Sequence, residues 1–345
     1  MFPDPATPPP TPCLPYTDTL FLEKLKPELE PRTALWGAKF TPSPAYANSL
    51  VSLRYFLPSR EVKLGIKQVG AGAFGSFVCA TYNGRPVGVK SVASAPSKMT
   101  RSYLARFPSP EVAACFRSAK ELELICSLRS KFVVYCYGGY FRQDDKGTLV
   151  CDIVMERYPY TLAAFLKLYP AADLEFRVTM VRRLCRLLLF LIGQSVCHSD
   201  IKKNNILVKT CGTPVLCDFG VACAMGDRVG ADVVLDGDYE AGKHLSSKYY
   251  VHPAARTTDA SPVVDMHAFM CIFVEVLYGT GSTVFRTLVS ERRFDSFHAK
   301  SSEVATRLPR FAGYAKAILN DGVEFNCTRL MHDCSTLPSP HTTRR

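Results

Sequence analysis

The sequence lacks several patterns that would assign a protein to a familiar class at once. None of its fourteen cysteines forms a Cys-x-x-Cys pair, which argues against a zinc ribbon and a thioredoxin-like redox site. No apolar run approaches the roughly 20 residues that span a bilayer, and the first residues are proline-rich where a secretory signal would be apolar. We therefore expect reduced, mostly buried cysteines in an intracellular protein of the cytoplasm or nucleus, with no membrane span.

Dense basic runs are missing as well. The net charge is +11, which would suit a nucleic-acid partner. The lysines and arginines are scattered, however, and no dense run of them with interleaved aromatic residues occurs. No specific nucleic-acid binding is therefore indicated, and the charge fits only a weak attraction to acidic or phosphorylated partners.

Between its two terminal segments the chain contains two regions that differ in composition and periodicity. Residues 1–60 form a proline-rich N-terminal extension, and residues 336–345 a C-terminal tail. Residues 61–156 are rich in Val, Tyr, Phe and Thr and are broken by glycine, which predicts a small β-sheet with one helix beginning near Pro110. Residues 157–335 have helical periodicity. The sequence thus predicts an α+β protein with a small sheet lobe and a larger, mainly helical lobe.

A glycine-rich stretch lies in the predicted sheet. Residues 70–75 read Gly-Ala-Gly-Ala-Phe-Gly, a G-x-G-x-x-G that is a weak signal alone. A dinucleotide fold would need a helix directly afterwards and an acidic residue about 20 positions on. Here the next acidic residue is Glu111, and Asn83-Gly84 predicts a hairpin turn. No Gly-Lys-Ser/Thr closes a P-loop either. What remains is a glycine-rich hairpin over phosphates, and the following Lys90 is then either a phosphate-binding cation or a surface lysine.

Polar residues are concentrated in the stretch "HSDIKKNN", residues 198–205, which lies between a predicted helix and a predicted buried strand. Polar side chains in such a position are costly unless something binds them. They are either an ordinary surface turn or an active site for a charged substrate.

In order and spacing, these stretches resemble the eukaryotic-type protein kinase family. The glycine-rich loop is followed by "VGVK", ending at Lys90, where the family has V-A-I-K. The stretch "HSDIKKNN" resembles the catalytic loop, and residues 218–220 are its D-F-G. Glu121, on the predicted helix, resembles the glutamate that pairs with the strand lysine, and "IVMERY" resembles the hinge. The likeness covers about residues 61–280.

The resemblance implies a two-lobed protein kinase that transfers the γ-phosphate of ATP, with Mg²⁺, to hydroxyls of protein substrates. Asp200 would orient the hydroxyl, and Lys202 would stabilise charge on the phosphoryl group, in the arrangement typical of serine/threonine kinases. Glu121 would fix Lys90 on the phosphates. The metal ligands would be Asn205 and Asp218. The ATP-binding residues would be Gly70, Ala71, Gly72, Ala73, Phe74, Gly75, Val78, Lys90, Met155, Glu156, Tyr158 and Leu207.

Departures from the family pattern indicate a divergent member, of the sort that large DNA viruses carry, although the sequence does not establish a viral origin. Ser199 replaces the arginine usual before the catalytic aspartate, so a phosphate on the activation segment lacks its main partner. Gly88 replaces the alanine of V-A-I-K, which predicts a looser roof over adenine. Residues 252–254 read His-Pro-Ala where Ala-Pro-Glu is usual.

Two other interpretations stay open. A pseudokinase would bind nucleotide without efficient phosphotransfer, but such proteins usually lose residues of the Lys90, Asp200 or Asp218 type, and this chain keeps all three. The second open interpretation is a kinase of small molecules with the same fold. Lys203 and Asn204 match no motif, and we expect them to be solvated.

Overall fold

The computed structural model describes residues 57, 59–72, 75–93, 120–143, 149–169, 172–224, 250, 262–279, 287, 293–317 and 327–335. Ala73, Phe74, the predicted helix start near Pro110 and the His-Pro-Ala stretch lie outside the described residues. Internal contacts divide the chain into two units. The first extends to Arg157 and includes Asp218–Ala222, and the second contains Tyr158–Cys217 and the described residues from Cys223 onward.

The first unit is built on a five-stranded antiparallel sheet. Its strands are β1 (Val62–Gly72), β2 (Gly75–Tyr82), β3 (Arg85–Ala93), β4 (Cys136–Gln143) and β5 (Leu149–Glu156), in the order β1-β2-β3-β5-β4. Alternation along these strands turns one set of apolar side chains into a buried cluster, which contains Leu57, Val62, Ala80, Val87, Val89, Tyr140 and Val154. Helix α1 covers residues 120–127 of the described chain. The predicted small sheet with a helix is confirmed.

The glycine-rich stretch forms a hairpin, as its sequence predicts. Strands β1 and β2 pair in a register that sets Gly72 opposite Gly75. Strands β2 and β3 are joined by Asn83-Gly84, whose φ angles of 49° and 75° are both positive, as a type I′ turn requires. Residues 75–93 contain no helix, so the dinucleotide-binding alternative is excluded.

The second unit is mainly helical. Its helices are α2 (Leu162–Leu168), α3 (Leu174–Gly193), α4 (Pro262–Tyr278), α5 (Phe294–Lys300), α6 (Ser302–Arg307), α7 (Phe311–Ala317) and α8 (Cys327–Ser335). Short strands β6 (Tyr160–Thr161), β8 (Ile206–Val208) and β9 (Pro214–Leu216) form one small sheet, and β7 (Val196–Cys197) pairs with β10 (Cys223–Ala224). Together with the first unit, this confirms the predicted α+β fold class.

The long helices of the second unit follow from sequence signals. Asp173 caps α3, because its Oδ1 accepts a hydrogen bond of 2.8 Å from the N–H of Phe176. Helix α3 then packs against α4 and α8. Helix α4 is buried over most of its circumference, which explains why its sequence is apolar on nearly every side. Both helices lie on stretches that the sequence predicts to be helical.

The cysteines behave as expected in the part of the chain that is described. All twelve described cysteines are thiols rather than disulfides, and only Cys211 among them is exposed.

None of the helices in the described ranges is both long enough and apolar enough to cross a membrane.

Candidate active site

In the first unit, Lys90 on β3 lies between two carboxylates. Its Nζ donates to Glu121 Oε1 on α1 at 2.5 Å and to Asp218 Oδ1 at 2.7 Å. Lys90 and Glu121 are buried, with exposed fractions of 9% and 3%. The structure therefore brings together three of the residues that the sequence singles out, although they are separated by long stretches of chain.

The charges in this triad stabilise one another. Burial by itself lowers the pKa of the Lys90 ammonium, but the carboxylates of Asp218 and Glu121 outweigh burial and raise the pKa above its ordinary value. Lys90 is therefore a cation at every physiological pH. A side chain at Gly220 would begin 3.2 Å from Glu121 Oε2 and 3.5 Å from Lys90 Nζ, so the glycine leaves the triad uncrowded.

In the second unit, a tight turn gathers Asp200, Lys202 and Asn205. Asp200 Oδ2 accepts from Lys202 Nζ at 2.7 Å and from Asn205 Nδ2 at 2.9 Å. Asn205 Nδ2 also donates to the backbone carbonyl of Asp200 at 2.9 Å. The carboxylate, the ammonium and the amide are thus held in fixed relation by their own contacts.

A buried carboxylate accepts hydrogen bonds from the backbone at the start of this turn. Asp265 on α4 accepts from the N–H groups of His198 and Ser199 at 2.7 and 3.0 Å. Burial raises the pKa of Asp265, and the two N–H donors oppose that rise. His198 is fully buried, and its Nε2 lies 3.0 Å from the carbonyl of Cys217. This histidine packs as a structural residue, as expected.

Two residues of the candidate site have a backbone conformation that is uncommon outside glycine. Four non-glycine residues have positive φ in the described ranges, and two of them are Ser199 at 64° and Asp218 at 66°. Such conformations cost of order 1–3 kcal/mol and persist where the surroundings impose them, often at functional sites. Ser199 Oγ lies 3.7 Å from Cys223 Sγ. The position that carries arginine in many kinases is therefore neutral here and faces a thiol.

The side-chain amide of Asn205 has a defined orientation. Both donations from its Nδ2 go to Asp200, which leaves the amide oxygen Oδ1 as the acceptor end of the side chain. An amide oxygen of Asn205 and a carboxylate of Asp218 are hard oxygen donors, which Mg²⁺ prefers. The chemistry of these two side chains therefore fits the predicted metal.

The other predicted nucleotide-binding residues are distributed over both units. Gly70, Ala71, Gly72 and Gly75 lie at the β1–β2 turn. Met155 is buried near the end of β5, and the N–H of Glu156 donates to the carbonyl of Tyr135 at 2.8 Å. Tyr158 is the first residue of the second unit, and Leu207 lies in β8 of that unit, opposite Val215.

One residue predicted to contact ATP, Val78, lies on a different face of the sheet from Lys90. Val78 pairs with Val89 and packs against the apolar core cluster, whereas the residue opposite Lys90 is Phe77. Because neighbouring residues of a strand face opposite sides of the sheet, Val78 lies on the side away from Lys90. Phe77 takes its place in the candidate site. The motif G-x-G-x-x-G-x-V, counted from Gly70, also reaches position 77.

Lys203, which was expected to be solvated, is only partly so, because it also forms an ion pair. Its Nζ lies 2.8 Å from Oε2 of Glu275, a buried carboxylate on α4. The hydroxyl of Tyr250 donates to the other oxygen of Glu275 at 2.8 Å. The sequence feature that could have predicted this ion pair is Glu275, because an acidic residue within an apolar helix is rarely buried without a partner. Asn204 is exposed, as expected.

Removing the cation from this pair is expected to destabilise the fold. The Lys203→Met variant leaves Glu275 buried with an uncompensated charge, and we expect the free energy of unfolding to fall by about 1–3 kcal/mol. The loss is smaller than for a fully buried pair because the Lys203 side chain is 37% exposed. Urea unfolding measures it.

The matched control is Lys316→Met, which removes an exposed ion pair with Asp295 and should cost less than about 1 kcal/mol. Adding Glu275→Gln to Lys203→Met should recover much of the loss. Equal stabilities of the Lys203→Met and Lys316→Met variants would contradict the assignment.

Comparison with known families agrees with this fold. The family model described as "Protein kinase domain" matches residues 65–335, which is most of the chain and extends beyond the residues that carry the sequence motifs. The chain belongs to the protein kinase family.

Distant relatives are named as kinases, and one of them as a serine/threonine kinase. A probable serine/threonine-protein kinase, glkA, of Dictyostelium discoideum is 25% identical over 217 residues, which are 62% of this chain and 39% of that protein. The glycogen synthase kinase-3 homolog YGK3 of Saccharomyces cerevisiae is 23% identical over 283 residues, which are 77% of this chain and 65% of that protein. The chain thus spans less than two thirds of the length of either relative. Both come from cellular organisms, and they lend no support to a viral origin.

Proposed function

We propose that the protein is an active serine/threonine kinase, which transfers the γ-phosphate of ATP to hydroxyl groups of protein substrates. The observation that carries this proposal is the arrangement of Asp200, Lys202 and Asn205 around one carboxylate oxygen. An ordinary surface turn does not require a carboxylate that accepts from both an ammonium and an amide. The name of the relative from Dictyostelium discoideum supports the same hydroxyl specificity.

Lys90 is the proposed contact for the nucleotide phosphates. Its ammonium is held by Glu121, so it is positioned before a ligand arrives, and its raised pKa keeps it charged. A fixed cation in a buried setting attracts phosphate oxygens more strongly than a mobile surface lysine does. The backbone N–H groups of the glycine-rich turn are the proposed contacts for the remaining phosphate oxygens, because glycine allows close approach.

Asp200 and Lys202 are the proposed groups for the transfer itself. The substrate hydroxyl oxygen forms a bond to the γ-phosphorus while the bond from that phosphorus to the bridging oxygen of ADP breaks. The hydroxyl proton passes to the carboxylate of Asp200, and the ammonium of Lys202 faces the negative charge of the phosphoryl oxygens.

Asn205 and Asp218 are the proposed Mg²⁺ ligands, through the amide oxygen and the carboxylate. Bound Mg²⁺ would neutralise charge on the phosphates. As contacts for the adenine base, we propose the backbone carbonyl of Glu156 and the backbone of Tyr158. The N–H of Glu156 already donates to the carbonyl of Tyr135. Met155 and Leu207 supply apolar surface.

The hydroxyl specificity can be tested by phosphoamino-acid analysis. Lys202 follows the catalytic aspartate by two residues, the arrangement of serine/threonine kinases that this chain resembles. With labelled ATP and a mixed protein extract, phosphoserine and phosphothreonine are expected to hold nearly all of the label. The same extract with the Asp200→Asn variant gives the background. Phosphotyrosine as the main product above that background would refute the assignment.

A further inference from the structure

Helix α1 lies against strand β4 on the face of the sheet that carries Lys90. Lys90 on β3 is opposite Ile153 on β5, and Ile153 is opposite Gly139 on β4, so these residues form one row across the sheet. A Cβ built on Gly139 would lie 3.0 Å from Cδ2 of Leu122, so α1 packs closely against β4 at this row. The position of Glu121, the partner of Lys90, therefore depends on how firmly α1 is held on β4.

A pair of cysteines forms a second contact between α1 and β4. The thiol of Cys126, in the last turn of α1, is hydrogen-bonded to the thiol of Cys136, the first residue of β4. The sulfur of Cys136 also donates to the backbone carbonyl of Val154 at 3.5 Å, so its direction is fixed by the sheet. Sulfur atoms in hydrogen-bond contact need only a small movement to reach the S–S bond length of about 2 Å. The two thiols are therefore placed to form a disulfide.

The two thiols differ in how an oxidant reaches them. The contact with Cys136 and burial raise the pKa of the Cys126 thiol well above its ordinary value, so this thiol stays protonated at neutral pH. Cys126 is buried, whereas Cys136 is only partly buried. An oxidant in solution therefore meets Cys136 first, and Cys126 lies beside the product.

We propose that hydrogen peroxide converts Cys126 and Cys136 into a disulfide, and that this bond staples α1 to β4 with Glu121 held against Lys90. The sulfur of Cys136 attacks one oxygen of the peroxide and the O–O bond breaks. The thiol proton leaves with the other oxygen as water, and Cys136 becomes a sulfenic acid. The sulfur of Cys126 then attacks the sulfur of Cys136, the S–O bond breaks, and the proton of Cys126 leaves with that oxygen as a second water. The two thiols lose two electrons, and the peroxide gains them.

A second pair of touching thiols provides an internal comparison. Cys185 on α3 and Cys327 on α8 are also in hydrogen-bond contact. Their exposed fractions are 0% and 3%, so peroxide in solution does not reach either thiol in the folded protein. We therefore expect this pair to stay reduced under the conditions that oxidise Cys126 and Cys136.

Mass spectrometry of the unreduced protein identifies the bond. The folded protein is treated with hydrogen peroxide, free thiols are blocked, and the chain is cut with trypsin. Cleavage after lysine and arginine places Cys126 on the peptide 121–129 and Cys136 on the peptide 132–142. We expect these two peptides to be joined, with a mass two hydrogens below their sum, and to separate after treatment with dithiothreitol. The peptides that contain Cys185 and Cys327 should not be joined.

Thermal unfolding and hydrogen exchange measure the staple. A disulfide restricts the unfolded chain, so the melting temperature of the oxidised protein is expected to rise by about 3 °C or more over that of the reduced protein. Backbone amides of residues 121–127 should exchange at least about tenfold more slowly after oxidation. Both effects should be lost in Cys136→Ser. The matched control is Cys211→Ser, which removes an exposed cysteine of the second unit and should show both effects in full.

Three results would overturn the inference. Peroxide that leaves Cys126 and Cys136 reduced would mean that the pair is not a redox site. A bond from Cys136 to another cysteine, or its oxidation to sulfinic acid without a joined peptide, would mean that Cys126 is not its partner. A joined peptide with an unchanged or lower melting temperature would mean that the bond does not hold α1 in place. All three are read on the unaltered chain and without phosphotransfer, so this inference and the proposed function fail separately.

Discussion

The Asp200→Asn variant is expected to lose phosphotransfer by a factor of about 10³ while it still folds and still binds Mg²⁺–ADP. Asparagine keeps the size of the side chain but cannot take the hydroxyl proton, and a positioned general base contributes about 10²–10⁴ to rate. The carboxylate also accepts from Lys202 and Asn205. Since an amide oxygen can still accept from both, the turn should persist.

The comparison needs three measurements on each variant: kcat with a protein substrate, the dissociation constant of Mg²⁺–ADP, and the melting temperature. The matched control is Asp295→Asn, which alters an exposed aspartate of the same unit that pairs with Lys316. A fall in kcat with an unchanged dissociation constant is the expected pattern. If Asp200→Asn kept more than about a tenth of wild-type kcat, the role of Asp200 as proton acceptor would be wrong.

The Asp218→Asn variant is expected to lose the part of nucleotide affinity that depends on magnesium. The substitution replaces a charged oxygen ligand by a neutral amide, so the metal is held less tightly. Lys90 keeps its partner Glu121 in this variant, so the ammonium should remain in place. Affinity for ADP in EDTA should therefore change little, whereas the gain on adding Mg²⁺ should fall at least about tenfold.

Isothermal titration of ADP with and without Mg²⁺ separates the two contributions, and Asp295→Asn again serves as the control. Phosphotransfer should fall together with the magnesium-dependent affinity. A wild-type gain from Mg²⁺ in the Asp218→Asn variant would show that Asp218 is not a ligand, and the metal site would then have to be sought elsewhere.

The sequence predicts the sheet and the long helices well, because each of these has a strong local signal. Turn chemistry at Asn83-Gly84, capping at Asp173 and the apolar periodicity of α3 and α4 act over a few residues. The motif order then places Lys90, Glu121 and Asp218 in one family pattern, and the fold brings these three together.

Two details of the site depend on register and on distant contacts, which local patterns do not specify. A shift of one residue along β2 moves every side chain of the strand to the opposite face of the sheet. The sequence alone therefore does not show whether Phe77 or Val78 lies on the same face as Lys90. Only the pairing of Phe77 with Lys90 shows which of the two side chains shares a face with Lys90. In the same way, Lys203 looks like a surface residue because its partner, Glu275, lies on a helix far along the chain.

Transfer of labelled phosphate by the purified chain tests the central claim most directly. The protein is incubated with γ-labelled ATP, Mg²⁺ and a heat-treated protein extract, beside the Asp200→Asn variant at the same concentration. An active kinase predicts label on serine and threonine of extract proteins that is at least about a hundred times the label with the variant. Equal, background labelling by the two proteins, both shown to bind Mg²⁺–ADP, would contradict catalysis and identify a nucleotide-binding pseudokinase.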